Sequence, residues 1–163
     1  MDRLWAPWRV VYIKKMLKKR EGCVFCKMFR EKKDAANYIF IRKNTCYSVL
    51  NIYPYNSGHS MILVNRHVDD LSKLTAEEKK ELFELLETTQ GLLAKIFKPD
   101  GFNIGINLGR AAGAGFPKHL HIHVVPRWKA DANFMPVIGN TRVLTQSLNI
   151  IYKQLVHAYK KRH

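Results

Sequence analysis

The sequence predicts one domain of mixed strands and helices, on three observations. Residues 119–125 alternate histidine with apolar side chains, the period of a half-buried strand. Residues 38–42 and 46–50 are strand-forming runs joined across Lys43 and Asn44, a hairpin by pattern. Thr75-Ala76-Glu77-Glu78 then opens a long run with helical periodicity, Thr75 serving as N-cap and Glu78 closing a capping box. At 163 residues the chain can bury a core, and no repeat or low-complexity linker divides it. We expect 1–35 to be an N-terminal anchor and cysteine knuckle, 36–128 the core, and 129–163 a C-terminal extension with a helix.

Taken in order, Trp5 and Trp8 flank Pro7, which disfavours helix, so this segment is expected to anchor onto the body of the protein. A short amphipathic helix is expected over 10–19. Cys23-Val24-Phe25-Cys26 is a C-x-x-C knuckle that could grip one tetrahedral zinc, provided two more ligands come from elsewhere. His67 is a candidate third ligand and His119 a fourth. A redox role would need a βαβ context, which the sequence lacks. Two reduced cysteines without metal is the plainer alternative. Cys46, among aromatic and aliphatic neighbours, reads as core. Residues 51–59 are turn-rich and end on His59, with a strand over about 60–65. The helix behind Thr75 runs to about Phe97, with Leu82, Leu85, Leu86, Leu93 and Phe97 as its apolar stripe, and Lys98-Pro99-Asp100-Gly101 stops it. A strand follows over 102–108, then the small, glycine-rich stretch 109–118, then the histidine strand. A final helix is expected over about 143–160, with Leu144, Leu148, Ile151, Tyr152 and Leu155 on one side.

Lys and Arg total 28 against 13 Asp and Glu, a formal charge of +15. That surplus favours anionic partners: nucleotides, nucleic acid or acidic lipid. Solubility alone, or a thermophile's charged surface, would account for it equally. Apolar runs fall short of the ~18–20 residues a membrane span needs. The N-terminus lacks a signal-peptide core, and three cysteines make no disulfide framework, so a cytoplasmic protein is expected.

Three of the seven histidines fall within 119–123. On a strand, His119, His121 and His123 share one face at roughly 6.6–6.8 Å spacing, while Leu120, Ile122 and Val124 face the core. The rings could bind a metal, since neutral imidazole suits zinc. One ring could be a nucleophile toward phosphorus, its neighbours fixing its tautomer and stabilising developing charge. A merely wet strand face is the weakest of the three. Spacing leaves the first two open. The loop before the strand favours phosphate chemistry, because glycines admit close backbone approach and Arg110 and Lys118 add charge.

His119-Leu120-His121-Ile122-His123-Val124-Val125 resembles the histidine triad (HIT) family pattern, in which three histidines alternate with apolar residues and two more apolar residues follow. Residues 50–59 resemble that family's nucleoside-binding strand and P-G-H turn, with Ser57 replacing the usual proline. Leu4-Trp5-Ala6-Pro7-Trp8-Arg9, Arg127-Trp128 and Asp131-Ala132-Asn133-Phe134 resemble a bacterial branch often called diadenosine tetraphosphate phosphorylase-like. The resemblance implies an α+β fold, an antiparallel sheet of about five strands with the long helix packed on it, and a homodimer. It implies that His121 attacks the α-phosphate of a nucleotide to give a nucleotidyl-histidine intermediate, that His119 and His123 orient it, and that His59 supports the triad. Asn51 would contact ribose; Asn107, the loop from Gly113 to Gly115 and Lys118 would lie at phosphate. Cys23, Cys26, His67 and His119 would hold a structural zinc. Where many members carry a polar residue before the first triad histidine, this chain reads Phe116-Pro117-Lys118, which leaves its leaving-group preference open. Water, inorganic phosphate or another phosphate ester as acceptor would make a hydrolase, a phosphorylase or a nucleotidyltransferase. The competing readings are a basic nucleic-acid-binding module and an enzyme acting on nucleic-acid ends.

Overall fold

Strand periodicity puts alternate side chains on opposite faces, and in this chain both faces of the sheet are covered. The computed structural model describes residues 22–129, 131, 144 and 146–161. The expected tryptophan anchor, the helix over 10–19 and most of 131–136 lie outside them. Strands β1 (Ile39–Arg42), β2 (Cys46–Leu50), β3 (Ser60–Val64), β4 (Gly101–Ile106) and β5 (His121–Arg127) form one antiparallel sheet in the order β1-β2-β3-β5-β4. With four α-helices among the described residues, α1 (Val24–Glu31), α2 (Asp34–Asn37), α3 (Ala76–Phe97) and α4 (Leu148–Lys160), this is the expected α+β architecture.

Helix α3 begins where Thr75 and Glu78 satisfy each other's backbone N–H groups, a complete capping box. It lies across the sheet with α4, burying Leu82, Leu85, Leu92, Leu93, Ile151 and Leu155 against Ile62, Leu120, Ile122 and Val124. The alternation in 119–125 therefore did put Leu120, Ile122 and Val124 into the core. Between α3 and β2 the hydroxyls of Ser48 and Thr89, both fully buried, satisfy each other at 2.8 Å, so neither is left as an unpaired polar group. The opposite face is covered by α1, whose Phe25 joins Ile39, Tyr47, Val49, Met61 and Leu63 in a second, smaller core.

Two boundaries differ from the sequence expectation. The histidine strand starts at His121, not at His119, because the preceding backbone bonds elsewhere: Leu120 N–H donates to the Val68 carbonyl and His119 N–H to that of Phe116. The strand also runs on through Pro126, which sits beyond the last β3 partner, Ser60 opposite Val124, so its missing N–H breaks no ladder bond. Helix α4 starts at Leu148, where the Ser147 hydroxyl accepts from Ile150 N–H; Leu144 lies outside it and is exposed.

Turn geometry aims the residues that follow it. Gly58 has φ +77°, and a Cβ there would come within 3.2 Å of Leu93 and 3.3 Å of Phe97. Glycine suits both the left-handed backbone and the close approach to α3, and this turn delivers His59 into the sheet.

Candidate active site and metal centre

On the α1 face of the sheet the histidines separate into two groups. His123 and His121 lie on β5 beside Met61 and Leu63 of β3, with their rings 4.9 Å apart at 80°. His59, at the end of the 51–59 turn, places its Nε2 2.9 Å from His123 Nδ1.

The hydrogen bonds assign the protons. Tyr55 N–H points at His59 Nδ1 from 3.0 Å, so that nitrogen accepts and the His59 proton sits on Nε2. His59 Nε2–H therefore donates to His123 Nδ1, which leaves the His123 proton on its own Nε2. His121 Nδ1 lies 2.8 Å from the His119 carbonyl oxygen, which can only accept; His121 carries its proton there and keeps a lone pair on Nε2. Desolvation holds His121 below the ordinary histidine range, against the opposing effect of the carbonyl bond. Burial, helped by the nearby His121, pushes His123 down to about 4. Both rings are neutral near pH 7.

His119 points away from this pair. Its Nε2 lies 2.9 Å from the Val64 carbonyl and so carries the proton, leaving Nδ1 as a lone pair 3.3 Å from Cys23 Sγ and 3.5 Å from Cys26 Sγ. His67 Nδ1 is 3.4 Å from Cys26 Sγ, and the four ligand atoms all lie within 4.8 Å of one another. A tetrahedral ion at about 2.3 Å from sulfur and about 2.0 Å from nitrogen spaces its ligand atoms by roughly 3.3–3.8 Å, so the cluster could hold a metal ion almost as it stands. Burial, and then the adjacent Cys23, push the Cys26 thiol up to about 11; a dication is what would convert it to a thiolate ligand. Burial likewise pushes His119 down to about 4, in keeping with a neutral nitrogen ligand.

The remaining candidates lie around these groups. Asn51 is half-buried with its Nδ2 3.4 Å from His59 Nδ1, and its Oδ1 accepts from Tyr53 N–H. Asn107 is half-buried just past β4, and Lys118 is exposed one residue before His119. Gly113 has φ +86°, which favours glycine, but its N–H already donates to the Arg110 carbonyl. Gly115 is half-buried in the same loop.

Three contributors escaped the sequence reading. Tyr55 lays its ring 4.5 Å from His59 while its backbone sets that histidine's tautomer. Asn56 donates from Nδ2 to the Pro126 carbonyl and to Asp131, while Asp131 takes both Arg127 Nε–H and Trp128 N–H, tying the 51–59 turn to the end of β5. Phe25, inside the C-x-x-C, has its ring 5.5 Å from both His119 and His121. No periodicity marks these positions; the family-like runs 50–59 and Arg127-Trp128 with Asp131 are the signals that touch them.

The family model described as HIT domain matches residues 32–130. A Mycobacterium tuberculosis protein named AP-4-A phosphorylase is 38% identical over 154 residues, which span 91% of this chain and 79% of that protein. A Schizosaccharomyces pombe protein named bis(5'-nucleosyl)-tetraphosphatase (asymmetrical) is 33% identical across 64% of this chain and 57% of its own. Among solved structures, a Zn-bound histidine triad family protein from Mycobacterium smegmatis superposes with a TM-score of 0.70 at 25% identity, covering 86% of this chain and 95% of that one.

The half-buried neutral His123 makes stability pH-dependent in a defined direction. Its folded value near 4 lies below the ordinary 6.5, so its contribution is fully present above about pH 6.5 and is lost as pH falls toward 4. At pH 5 this one ring should weaken folding by about 2 kcal/mol relative to pH 7.5. Urea midpoints at the two pH values should differ less in His123→Gln than in wild type; equal differences would refute the assignment.

Proposed function

This chain belongs to the HIT domain family, and we propose that it is an enzyme that cleaves nucleotide phosphates at the α-phosphorus through His121. The observation that carries this reading is the proton assignment. The bond from His121 Nδ1–H to the His119 carbonyl leaves Nε2 as an unprotonated nucleophile at neutral pH, with no general base required to uncover it.

The reaction follows in two steps. His121 Nε2 attacks the α-phosphorus, an N–P bond forms, and the P–O bond to the rest of the phosphate chain breaks. The imidazole becomes cationic as it is nucleotidylated, and the His119 carbonyl, already accepting from Nδ1–H, stabilises that charge. His123 Nε2–H hydrogen-bonds the departing oxygen, which leaves as an anion, and His59 holds His123 in that tautomer. An acceptor oxygen then attacks the same phosphorus, a water acceptor releasing its proton to solvent, the N–P bond breaks and the His121 lone pair returns. With water this is hydrolysis; with inorganic phosphate it is phosphorolysis. Asn51 at the ribose, and Asn107, Gly113, Gly115 and Lys118 along the phosphates, complete the assignment. Because the Gly113 N–H is already bonded, this loop would contribute neighbouring N–H groups and the Lys118 charge. The substrate class we favour is a dinucleoside polyphosphate, the class named for the phosphorylase and tetraphosphatase relatives.

We assign the second cluster to zinc. Two sulfurs and two imidazole nitrogens are a zinc donor set, and the His119 tautomer presents the required lone pair. The ion would supply no reacting group; Cys23, Cys26, His67 and His119 would tie the N-terminal knuckle to the start of β5. We also take the chain to be a homodimer, docking through β4, the terminal strand of the sheet, beside the exposed Ile104 and Leu108. Three cysteines without a disulfide fit a cytoplasmic location, which cell fractionation would test.

His121→Asn should lower turnover of diadenosine tetraphosphate, with or without inorganic phosphate, by at least roughly 1,000-fold while nucleotide still binds; a variant as active as wild type would exclude the mechanism. Elemental analysis of protein purified without added metal should give about one zinc per chain, reduced in Cys26→Ala. A ratio near zero with both cysteines freely titratable would refute the site. Sedimentation at micromolar concentration should show a dimer, and a monomer there would dispose of the β4 interface.

A further inference from the structure

Building on the nucleotidyl-histidine reading, we infer that Phe25 is a positioning residue through which occupancy of the four-ligand cluster sets the orientation of His121. Phe25 lies between the two cysteines of the knuckle, so an ion gripped by Cys23 and Cys26 closes the backbone on either side of it into a ring. Its side chain is only 4% exposed and reaches inward. The ring meets His121 at 45° and His119 at 68°, both at 5.5 Å, and packs edge-on against Phe116 at 5.0 Å. From behind, the fully buried Tyr47 donates its hydroxyl hydrogen to the Phe25 carbonyl at 3.1 Å. Tyr47 stands opposite Leu63, and Leu63 opposite His121, so one row of the sheet supports both residues.

His121 is thus restrained twice, and both restraints lead to the cluster. Phe25 packs on its ring, and the His119 carbonyl fixes its Nδ1 proton. The first restraint sits within the C-x-x-C; the second belongs to a ligand residue. His123 is held differently: its Nδ1 accepts from His59, which the Tyr55 N–H backs, and it meets the edge of the His121 ring at 4.9 Å. Loss of the ion should therefore free the His121 tautomer while leaving the His59–His123 hydrogen bond in place. That asymmetry separates positioning from a general effect on folding.

The test uses long-range 1H–15N imidazole spectra and steady-state kinetics on the zinc-loaded chain, the chelator-treated chain, and zinc-loaded Phe25→Leu and Phe25→Ala. The expected result is a single Nδ1–H tautomer for His121 in the loaded wild type. Chelation should shift His121 toward mixed tautomers while His59 and His123 keep their signals, which also reports that the fold persists. Both variants should retain about one zinc and show the same His121-specific change, with kcat lowered roughly 10- to 100-fold and KM little altered. Chelating Phe25→Ala should change His121 less than chelating wild type does, because one of its two links to the cluster is already broken. Wild-type His121 signals and kcat in the zinc-loaded variants would overturn the inference, as would an unchanged His121 in the chelated wild type. If wild type turns over no nucleotide phosphate, the proposed function fails; the tautomer spectra still decide the coupling.

Discussion

The arrangement depends on three bonding options of one residue. His119 gives its Nε2–H to the Val64 carbonyl, turns its Nδ1 lone pair toward two sulfurs, and offers its backbone carbonyl to His121. Each use constrains the next. The first fixes the tautomer, the tautomer decides that Nδ1 can ligate, and the backbone position that results decides where the His121 proton resides. Because its N–H and that of Leu120 are bonded outside the sheet, His119 can face the knuckle while His121 begins the strand.

The sheet divides the work between its two faces. Against one lie α3 and α4 with most of the apolar core, and that packing holds β3 and β5 in register. Against the other, among the described residues, lies the short α1 with a small aromatic cluster, and here the buried imidazoles of His59, His119 and His121 share the surface with Tyr47 and Phe25. Burying imidazoles is tolerable only while they stay neutral and hydrogen-bonded. The bonds from Tyr55 through His59 to His123, and from His121 to His119, meet that condition. The desolvation that costs stability in acid also favours the neutral form of His121.

Much of this was legible in advance, and for identifiable reasons. The capping box at Thr75, the apolar stripe behind it and the alternation through Leu120, Ile122 and Val124 are local patterns tied to helix and strand periods, and each gave the element that the structure contains. The boundaries at His119 and Leu144 were misread because each depended on a bond to a residue distant in sequence or on a cap chosen by packing. The cysteine knuckle and His67 could be named as candidate ligands from residue type and spacing, but their convergence with His119 was expected only through the family resemblance, since 96 positions separate Cys23 from His119.

The sequence by itself determined the chemical inventory: three alternating histidines, a fourth after a glycine turn, two cysteines at a ligand spacing, and the periods that make strands and helices. These follow from side-chain identity and local geometry. Only the tertiary structure decided which nitrogen of each ring bears the proton and which residues flank it. Tautomers are set by partners such as the Val64 carbonyl, Tyr55 N–H and the His119 carbonyl, and which of these lies beside a ring depends on how distant segments pack. The same holds for Phe25, an ordinary core aromatic in the sequence. It lies between the cysteine–histidine cluster and His121 because α1 covers the histidine face of the sheet.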